Sequence, residues 1–395
     1  MSYYYVKTSK DLALLCEKLA DCDRLAIDTE FVGDRTYFRR LEIIQVAAPG
    51  IEAIIDYPAI TGGRAEPSRM RALWKLFQAP RPQLVFHAVT EDARVLREAM
   101  GDLPCNIFDT QAAWSLLDQR YQIGYLDLVE TLCGVRLDKG PQMLDWSMRP
   151  LTNEMIDYAL NDVRHLLMMH DILTGRLQEA GRLEWLGEII EDILSEVEPP
   201  NSREAWRKVK GAGGMNGRQT AVLRELAAWR ERLAMERDEP VQRIMTDDII
   251  VAVARKAPRH ESALRQITRR LTEGQIRTYG KAMLQAVEAG LVAEPPERDS
   301  NGRPSGEHVK GLSSLLASYV EAVARQQSIA GGRLARTFEL QMIADDPADA
   351  DQRQLRVLTG WRRTMVGDDL LAIARGELAL HWDPAEQLLV ATRRS

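Results

Sequence analysis

The first half of the chain is punctuated by short apolar runs. Residues 25–31, 41–48 and 51–56 each predict a strand, and the short links between them predict antiparallel neighbours. Ahead of them, Ser9 predicts the N-cap of a helix whose apolar side carries Leu12, Leu14, Leu15 and Leu19. A loop with Gly and Pro at 61–67 leads to a helix at 70–77, which Pro80 and Pro82 end. Residues 83–87 read as a buried strand, and Thr90 opens a helix to Met100 whose first turn carries Glu91 and Asp92. Residues 106–110 repeat that strand-then-helix pattern. A meander followed by alternation predicts a mixed α/β sheet.

From Leu126 the period becomes helical. One long helix is predicted from Thr152 or Asn153 past Tyr158, Asp162 and Leu166, and another over 183–197. Residues 198–202 break the pattern and mark a domain boundary. Two helical blocks follow, at 218–290 and 309–379, separated by a Pro-, Gly- and charge-rich linker at 294–304. Both contain a Trp-Arg pair, Trp229-Arg230 and Trp361-Arg362, which suggests a duplicated unit. The expected domains are therefore 1–198, 210–293 and 305–395.

A length of 395 residues calls for two or three domains, and 45% apolar with 28% charged residues suits a globular protein. No apolar run is long enough for a membrane span, and Met1 to Lys7 lacks a signal peptide's layout. Four cysteines without paired spacing suit a reducing compartment, so a cytoplasmic protein is expected. The net charge of −6 argues mildly against a nucleic-acid partner. Yet residues 215–290 carry 14 Lys/Arg against 10 Asp/Glu, a local +4 that leaves −10 elsewhere. A basic middle beside an acidic head suits a chain that grips a polyanion with one domain and metals with another.

Asp28 and Glu30 stand at i and i+2 in a predicted strand, so both carboxylates leave the same face. Such a pair is either a solvated strand edge or a seat for a divalent cation, which relieves the repulsion. Asp92 is either a dipole partner at its helix start or a third acid of the same seat. Tyr158 and Asp162, four apart, share one helical face, as a surface pair or as part of that seat. Four carboxylates without a His/Cys cluster suit Mg²⁺ or Mn²⁺. His165, His170, His260, His308 and His381 are scattered and take no metal role.

Together these segments resemble a known family. Asp28-Thr29-Glu30 after an apolar strand, Phe86-His87 followed by Glu91-Asp92, and Tyr158 with Asp162 resemble the three exonuclease motifs of the DEDD superfamily, in its tyrosine-containing branch. Phe31-Val32 with Arg35-Thr36-Tyr37, Leu137-Asp138-Lys139, Asp145-Trp146 and Arg149-Pro150-Leu151-Thr152 are similar to the bacterial ribonuclease D family over residues 1–200. The block with Leu226, Trp229-Arg230, Pro240, Asp248-Ile249, Ala254 and Pro258 resembles a helicase-and-RNase-D C-terminal (HRDC) domain, and Gly360-Trp361-Arg362-Arg363 its more divergent second copy.

The resemblance implies a ribonuclease-H-like α/β exonuclease domain followed by two all-α HRDC-type domains. It implies 3′-5′ hydrolysis of RNA, one nucleotide at a time, leaving 5′-phosphomonoesters, with two divalent cations (Mg²⁺ or Mn²⁺). Asp28 would bridge both ions, Glu30 and Asp162 would complete the site of the water-bearing ion, and Asp92 would act on the other through water. Tyr158 would orient the attacking water. Phe31 would stack on terminal bases or sit in the core, and His87 would face the site or, preferably, pack at the strand end. Lys139, Gln142 and Trp146 would line the strand's entry path. Arg255, Lys256, Arg259, Arg265, Arg269, Arg270 and Arg277 are either extra grip on RNA or a solvated helical face. The expected partner is RNA with a single-stranded 3′ end, such as a tRNA precursor, with no membrane and no obligate protein partner. A 3′-5′ DNA exonuclease and a catalytically silent RNA-binding protein are the alternatives.

Overall fold

The computed structural model describes residues 3–33, 35–63, 67–138, 140, 144–197, 199, 201–296, 306–385 and 388–393. Two compact units emerge, one of Met1–Glu30, Leu41–Glu196 and Asp299–Ser395, the other of Phe31–Arg40 and Val197–Arg298.

The first unit is built on six strands: β1 (Tyr4–Val6), β2 (Arg24–Val32), β3 (Arg40–Ala48), β4 (Ile51–Asp56), β5 (Gln83–Phe86) and β6 (Ile107–Asp109). Their order is β1-β4-β3-β2-β5-β6. β3 and β4 pair antiparallel, as their short link predicts, with Ala48 opposite Ile51. β1 adds a parallel edge beside β4; three residues are too few to show a period in the sequence. β2, β5 and β6 run parallel to one another, so the residues that follow them emerge at one edge. β3 is buried from Leu41 to Ala48, which explains its mostly apolar text, with Glu42 and Gln45 as buried polar exceptions.

Helices α1 (Ser9–Leu19), α2 (Arg71–Phe77), α3 (Thr90–Met100), α4 (Thr110–Trp114), α5 (Tyr125–Cys133), α6 (Asn153–Arg164), α7 (Leu166–Glu179) and α8 (Leu183–Ser195) belong to the same unit. The cap of α1 is Thr8 rather than Ser9; its hydroxyl accepts from the Asp11 N–H at 3.1 Å. The long helix expected past Leu166 is two helices. The Tyr125 hydroxyl donates to the Asn161 carbonyl (2.6 Å) and accepts from the His165 N–H (3.4 Å), which interrupts the helical ladder at the junction.

Arg149 pins the segment before α6. Its guanidinium donates to both oxygens of Asp56 (2.7 and 3.0 Å) and to the Trp146 and Met148 carbonyls (2.7 and 2.8 Å). Asp56, 1% exposed, also accepts from the Tyr5 hydroxyl at 2.8 Å. Arg149→Ala leaves that buried carboxylate without its cation, at an expected cost of about 3 kcal/mol in urea unfolding.

The second unit is helical, with α9 (Gly217–Arg237), α10 (Asp247–Lys256) and α11 (Glu273–Val292) around Val222, Leu223, Leu226, Ile250, Val253 and Met283. A Cβ at Gly290 of α11 would overlap the Val222 backbone of α9, so the two helices touch through main chain there. Residues 31–40, from the end of β2 to the start of β3, also belong to this unit. Tyr37 packs on its core, and the Tyr37 and Phe38 N–H groups donate to Asp238 (3.1 and 3.0 Å).

The last block, α12 (Glu307–Gln327), α13 (Thr337–Asp345), α14 (Asp368–Ala374), β7 (Leu378–Asp383) and β8 (Leu388–Arg393), falls in the first unit. It is not all-α as expected: β7 and β8 form an antiparallel pair, and Leu378, Leu380, Leu389 and Ala391 pack on the block's helical core. Those alternate positions are a period-2 signal too short to stand out beside twenty-residue helices. The block is fastened to the unit through α8. Trp185 stacks on Trp361 at 4.3 Å, and buried Arg362 reaches Asp192 (3.0 Å), Glu188 (3.2 Å) and the Arg333 carbonyl (2.9 Å).

Both helical blocks begin with a 21-residue helix closed by a left-handed residue, Asp238 or Ser328, then a four-residue helix, Val241–Ile244 or Gly331–Leu334, then α10 or α13. The repetition lies in this order of elements. The Trp-Arg pairs do not mark it, since Trp229-Arg230 lies within α9 and Trp361-Arg362 lies beyond α13.

Candidate active site

Asp28 and Glu30 on β2 and Asp162 on α6 each place a carboxylate oxygen so that all three lie within 4.8 Å of one another. Alternation along β2 turns the first two to one face, and α6 brings the third. Tyr158 stands one turn before Asp162. Asp92, in the first turn of α3, is 7% exposed and accepts from the Thr29 hydroxyl at 2.6 Å. It lies outside the tight trio but is felt by it electrostatically.

Burial and mutual repulsion hold these acids toward their protonated forms. Glu30 is pushed up to about 9 by burial and then by Asp28, Asp162 and Asp92. Asp162 rises to about 7 through burial and Asp92. Asp28 is raised well above the usual carboxylate range by burial and Asp162, and Asp92 likewise by burial and Asp28. Tyr158 is pushed up to about 12 by burial and the same carboxylates, so it keeps its proton at any physiological pH.

Several supporting residues carry no sequence motif of their own. Gln45, fully buried on β3, donates to Asp28 at 3.3 Å; its one visible signal is a polar residue inside the apolar run 41–48. Thr29 sits between the two motif acids and fixes Asp92. Asp109 at the end of β6 is another acid near the same sheet edge, but its carboxylate is taken up by the N–H groups of Ala88, Val89, Gln111 and Ala112. It braces the turn that launches α3. Gly140 lies against the Tyr158 ring so closely that a Cβ there would overlap the ring carbons. Beside Tyr158 and Asp162 opens a cavity of about 880 Å³, lined also by Gly124, Leu137, Gly140 and Asn161.

The expected substrate contacts are dispersed. Trp146 is 6% exposed and packs its ring 6.1 Å from that of Tyr158, so it backs the tyrosine. Both ring nitrogens of His87 are engaged, with the Thr110 hydroxyl (2.9 Å) and the Ile123 carbonyl (3.0 Å), and burial lowers its pKa. It packs at the strand end rather than presenting a nitrogen to a ligand. Phe31 is half-buried with the Arg39 guanidinium 5.1 Å from its ring centre. Lys139 and Gln142 lie outside the described residues.

The donor set fits a hard divalent cation: carboxylate oxygens only, half-buried together, each raised by desolvation and by its neighbours. A test follows that needs no substrate. Acids raised in the folded state bind protons more tightly there, so metal-free stability is fullest below their ordinary range and falls as pH rises from about 4.5 toward 9. Mn²⁺ is therefore expected to raise the melting temperature more at pH 8 than at pH 6. An equal shift at both values, measured by scanning calorimetry, contradicts the site.

The chain resembles known proteins over nearly its whole length. A 3′-5′ exonuclease family profile matches residues 3–178, and an HRDC domain profile matches residues 219–287. The chain is similar to the ribonuclease D of Acidiphilium cryptum, 33% identical over 386 residues that cover 95% of this chain and 94% of that protein. It is 32% identical to the ribonuclease D of Granulibacter bethesdensis, covering 98% and 96%. The crystal structure of Escherichia coli RNase D, described as an exoribonuclease involved in structured RNA processing, superposes with a TM-score of 0.81 at 28% identity, covering 95% of this chain and 99% of that one.

Proposed function

The chain belongs to the ribonuclease D family of 3′-5′ exoribonucleases, and from that premise we propose that it trims RNA 3′ ends, tRNA precursors among them, in the cytoplasm. The observation that carries the reading is the trio Asp28, Glu30 and Asp162 within 4.8 Å. In this reading the trio and Asp92 hold two divalent cations, Mg²⁺ or Mn²⁺. Bound there, such ions make a water acidic enough to attack a phosphodiester and stabilise the leaving 3′ oxygen.

The chain's own residues supply alignment. Gln45 fixes the Asp28 carboxylate and Thr29 that of Asp92. Tyr158, protonated throughout, donates its hydroxyl hydrogen to the attacking water and holds it in line with the scissile phosphate. Gly140 and Trp146 hold the tyrosine's ring. Phe31 stacks on a terminal base, and Lys139 and Gln142 meet the incoming strand. No described helix is long and apolar enough to cross a membrane. The helical second unit serves as an HRDC domain, and the repeated order of elements in the last block supports a second, divergent HRDC-like copy.

Matched single-stranded RNA and DNA of one sequence test the substrate class. Faster shortening of the RNA is the expected outcome. Faster shortening of the DNA would make the chain a DNA exonuclease, and inertness toward both in Mg²⁺ and Mn²⁺ would leave an RNA-binding protein.

A further inference from the structure

The charge of the chain is divided by unit. Residues 31–40 and 197–298 together hold 22 Lys/Arg against 15 Asp/Glu, a net +7, so the remainder carries −13. Many arginines of the basic unit are neutralised locally. Arg265 pairs with Glu261 (2.8 Å) and Glu273 (3.1 Å), Arg270 with Asp248 (3.0 Å), Arg230 with Asp247 (2.8 Å), and Arg207 with Glu204. These belong to solvated or structural pairs and leave little charge for a ligand.

One place differs. A cavity of about 360 Å³ is bordered by Arg218 and Gln219 of α9, Arg255 near the end of α10, and Arg259 just after it, with no acid in its lining. Arg218 and Arg259 are exposed and have no ion-pair or hydrogen-bond partner among the described residues. The third is fixed: Arg255 donates to the Gly211 and Gly213 carbonyls (3.3 and 3.2 Å), which satisfies donors while leaving its charge uncancelled. The Gln219 amide donates to the Arg255 carbonyl at 3.3 Å, tying α9 to α10 across the cavity's floor. Three guanidiniums around one concavity repel one another unless an anion enters, and their planar donor forks match phosphate oxygens. The volume admits a phosphodiester with its sugar but not a folded partner.

We propose that the cavity between α9 and α10, lined by Arg218, Arg255 and Arg259, is a binding site for a backbone phosphate of single-stranded RNA. The inference rests on the reading that the substrate is RNA, and it divides the basic set of this unit into a site, Arg255 and Arg259 with Arg218, pairs that serve the fold, and the exposed cations Lys256, Arg269 and Arg277 outside the cavity. Because the arginines read phosphate, the site contributes affinity without sequence preference.

The test is fluorescence anisotropy of the full-length chain with a 5′-fluorescein single-stranded RNA in EDTA, with circular dichroism as the folding control. Arg218→Glu with Arg259→Glu is expected to weaken binding about tenfold or more at low salt, and to flatten the slope of log K against log[salt] by roughly 0.7 for the one lost phosphate contact. Arg277→Glu is a control outside the cavity, likewise exposed and unpaired among the described residues, and is expected to change affinity less than about threefold. Matched single-stranded DNA should lose affinity in parallel. Equal losses in the double variant and the control, or a loss for RNA alone, would overturn the phosphate assignment. Binding is read without turnover, so an inert enzyme with Arg218- and Arg259-dependent binding would sink the exonuclease reading and keep this site. An active enzyme with unchanged binding would do the reverse.

Discussion

Asp28→Asn is expected to slow 3′-end hydrolysis roughly 10³-fold or more while leaving the metal-free chain at least as stable as the original. The two halves of that result have one cause. Asp28 is half-buried, held well above the usual carboxylate range by desolvation and by Asp162, and lies in the trio with Glu30. In the absence of a cation its charge is a burden on the fold, so a neutral amide of the same shape relieves it. In the proposed site the same charge would serve as a ligand once a cation binds, and the amide would give it up. Thermal unfolding should therefore show an unchanged or higher melting temperature in EDTA and a smaller gain on adding Mn²⁺. Activity within tenfold of the original, or a collapse of the metal-free fold, would mean that Asp28 serves the structure instead.

Tyr158→Phe is expected to lower kcat roughly 10²-fold with little change in KM and with the Mn²⁺-induced gain in melting temperature retained. The phenol is raised to about 12, so the role proposed for it is that of a positioned donor and not of a base. Removing the hydroxyl takes one hydrogen bond from the aligned water and nothing from the carboxylates. The ring remains against Gly140 and Trp146, so geometry elsewhere is kept. Steady-state kinetics with wild-type kcat would end the orienting role. A lost Mn²⁺ response would show instead that the tyrosine builds the cation site.

Much of this was legible before the fold. Asp28, Glu30, Asp92, Tyr158 and Asp162 stand in local patterns, strand alternation and helical turns, that place side chains without tertiary information. The strands 41–48 and 51–56 were visible because β3 and β4 are buried and joined by a tight turn. What stayed hidden depends on contacts distant in sequence. Asp109 is chemically indistinguishable from a ligand until its four N–H partners appear. His87 becomes a packing residue only when Thr110 and Ile123 occupy its nitrogens. Gly140 matters because of a ring eighteen positions away, and β7 with β8 only because a helical core lies under alternate residues. The break at His165 needs the Tyr125 hydroxyl, forty positions earlier.

We propose that the carboxylates of β2, α3 and α6 run cation-dependent hydrolysis from RNA 3′ ends. The most direct test is a timed digestion of a 5′-labelled RNA with a 3′ overhang, in Mn²⁺ or Mg²⁺ and in EDTA. The expected result is a ladder that shortens from the 3′ end one nucleotide at a time, releases 5′-monophosphates, and is absent in EDTA. Internal cuts, shortening that persists in EDTA, or an intact RNA with both metals would contradict it.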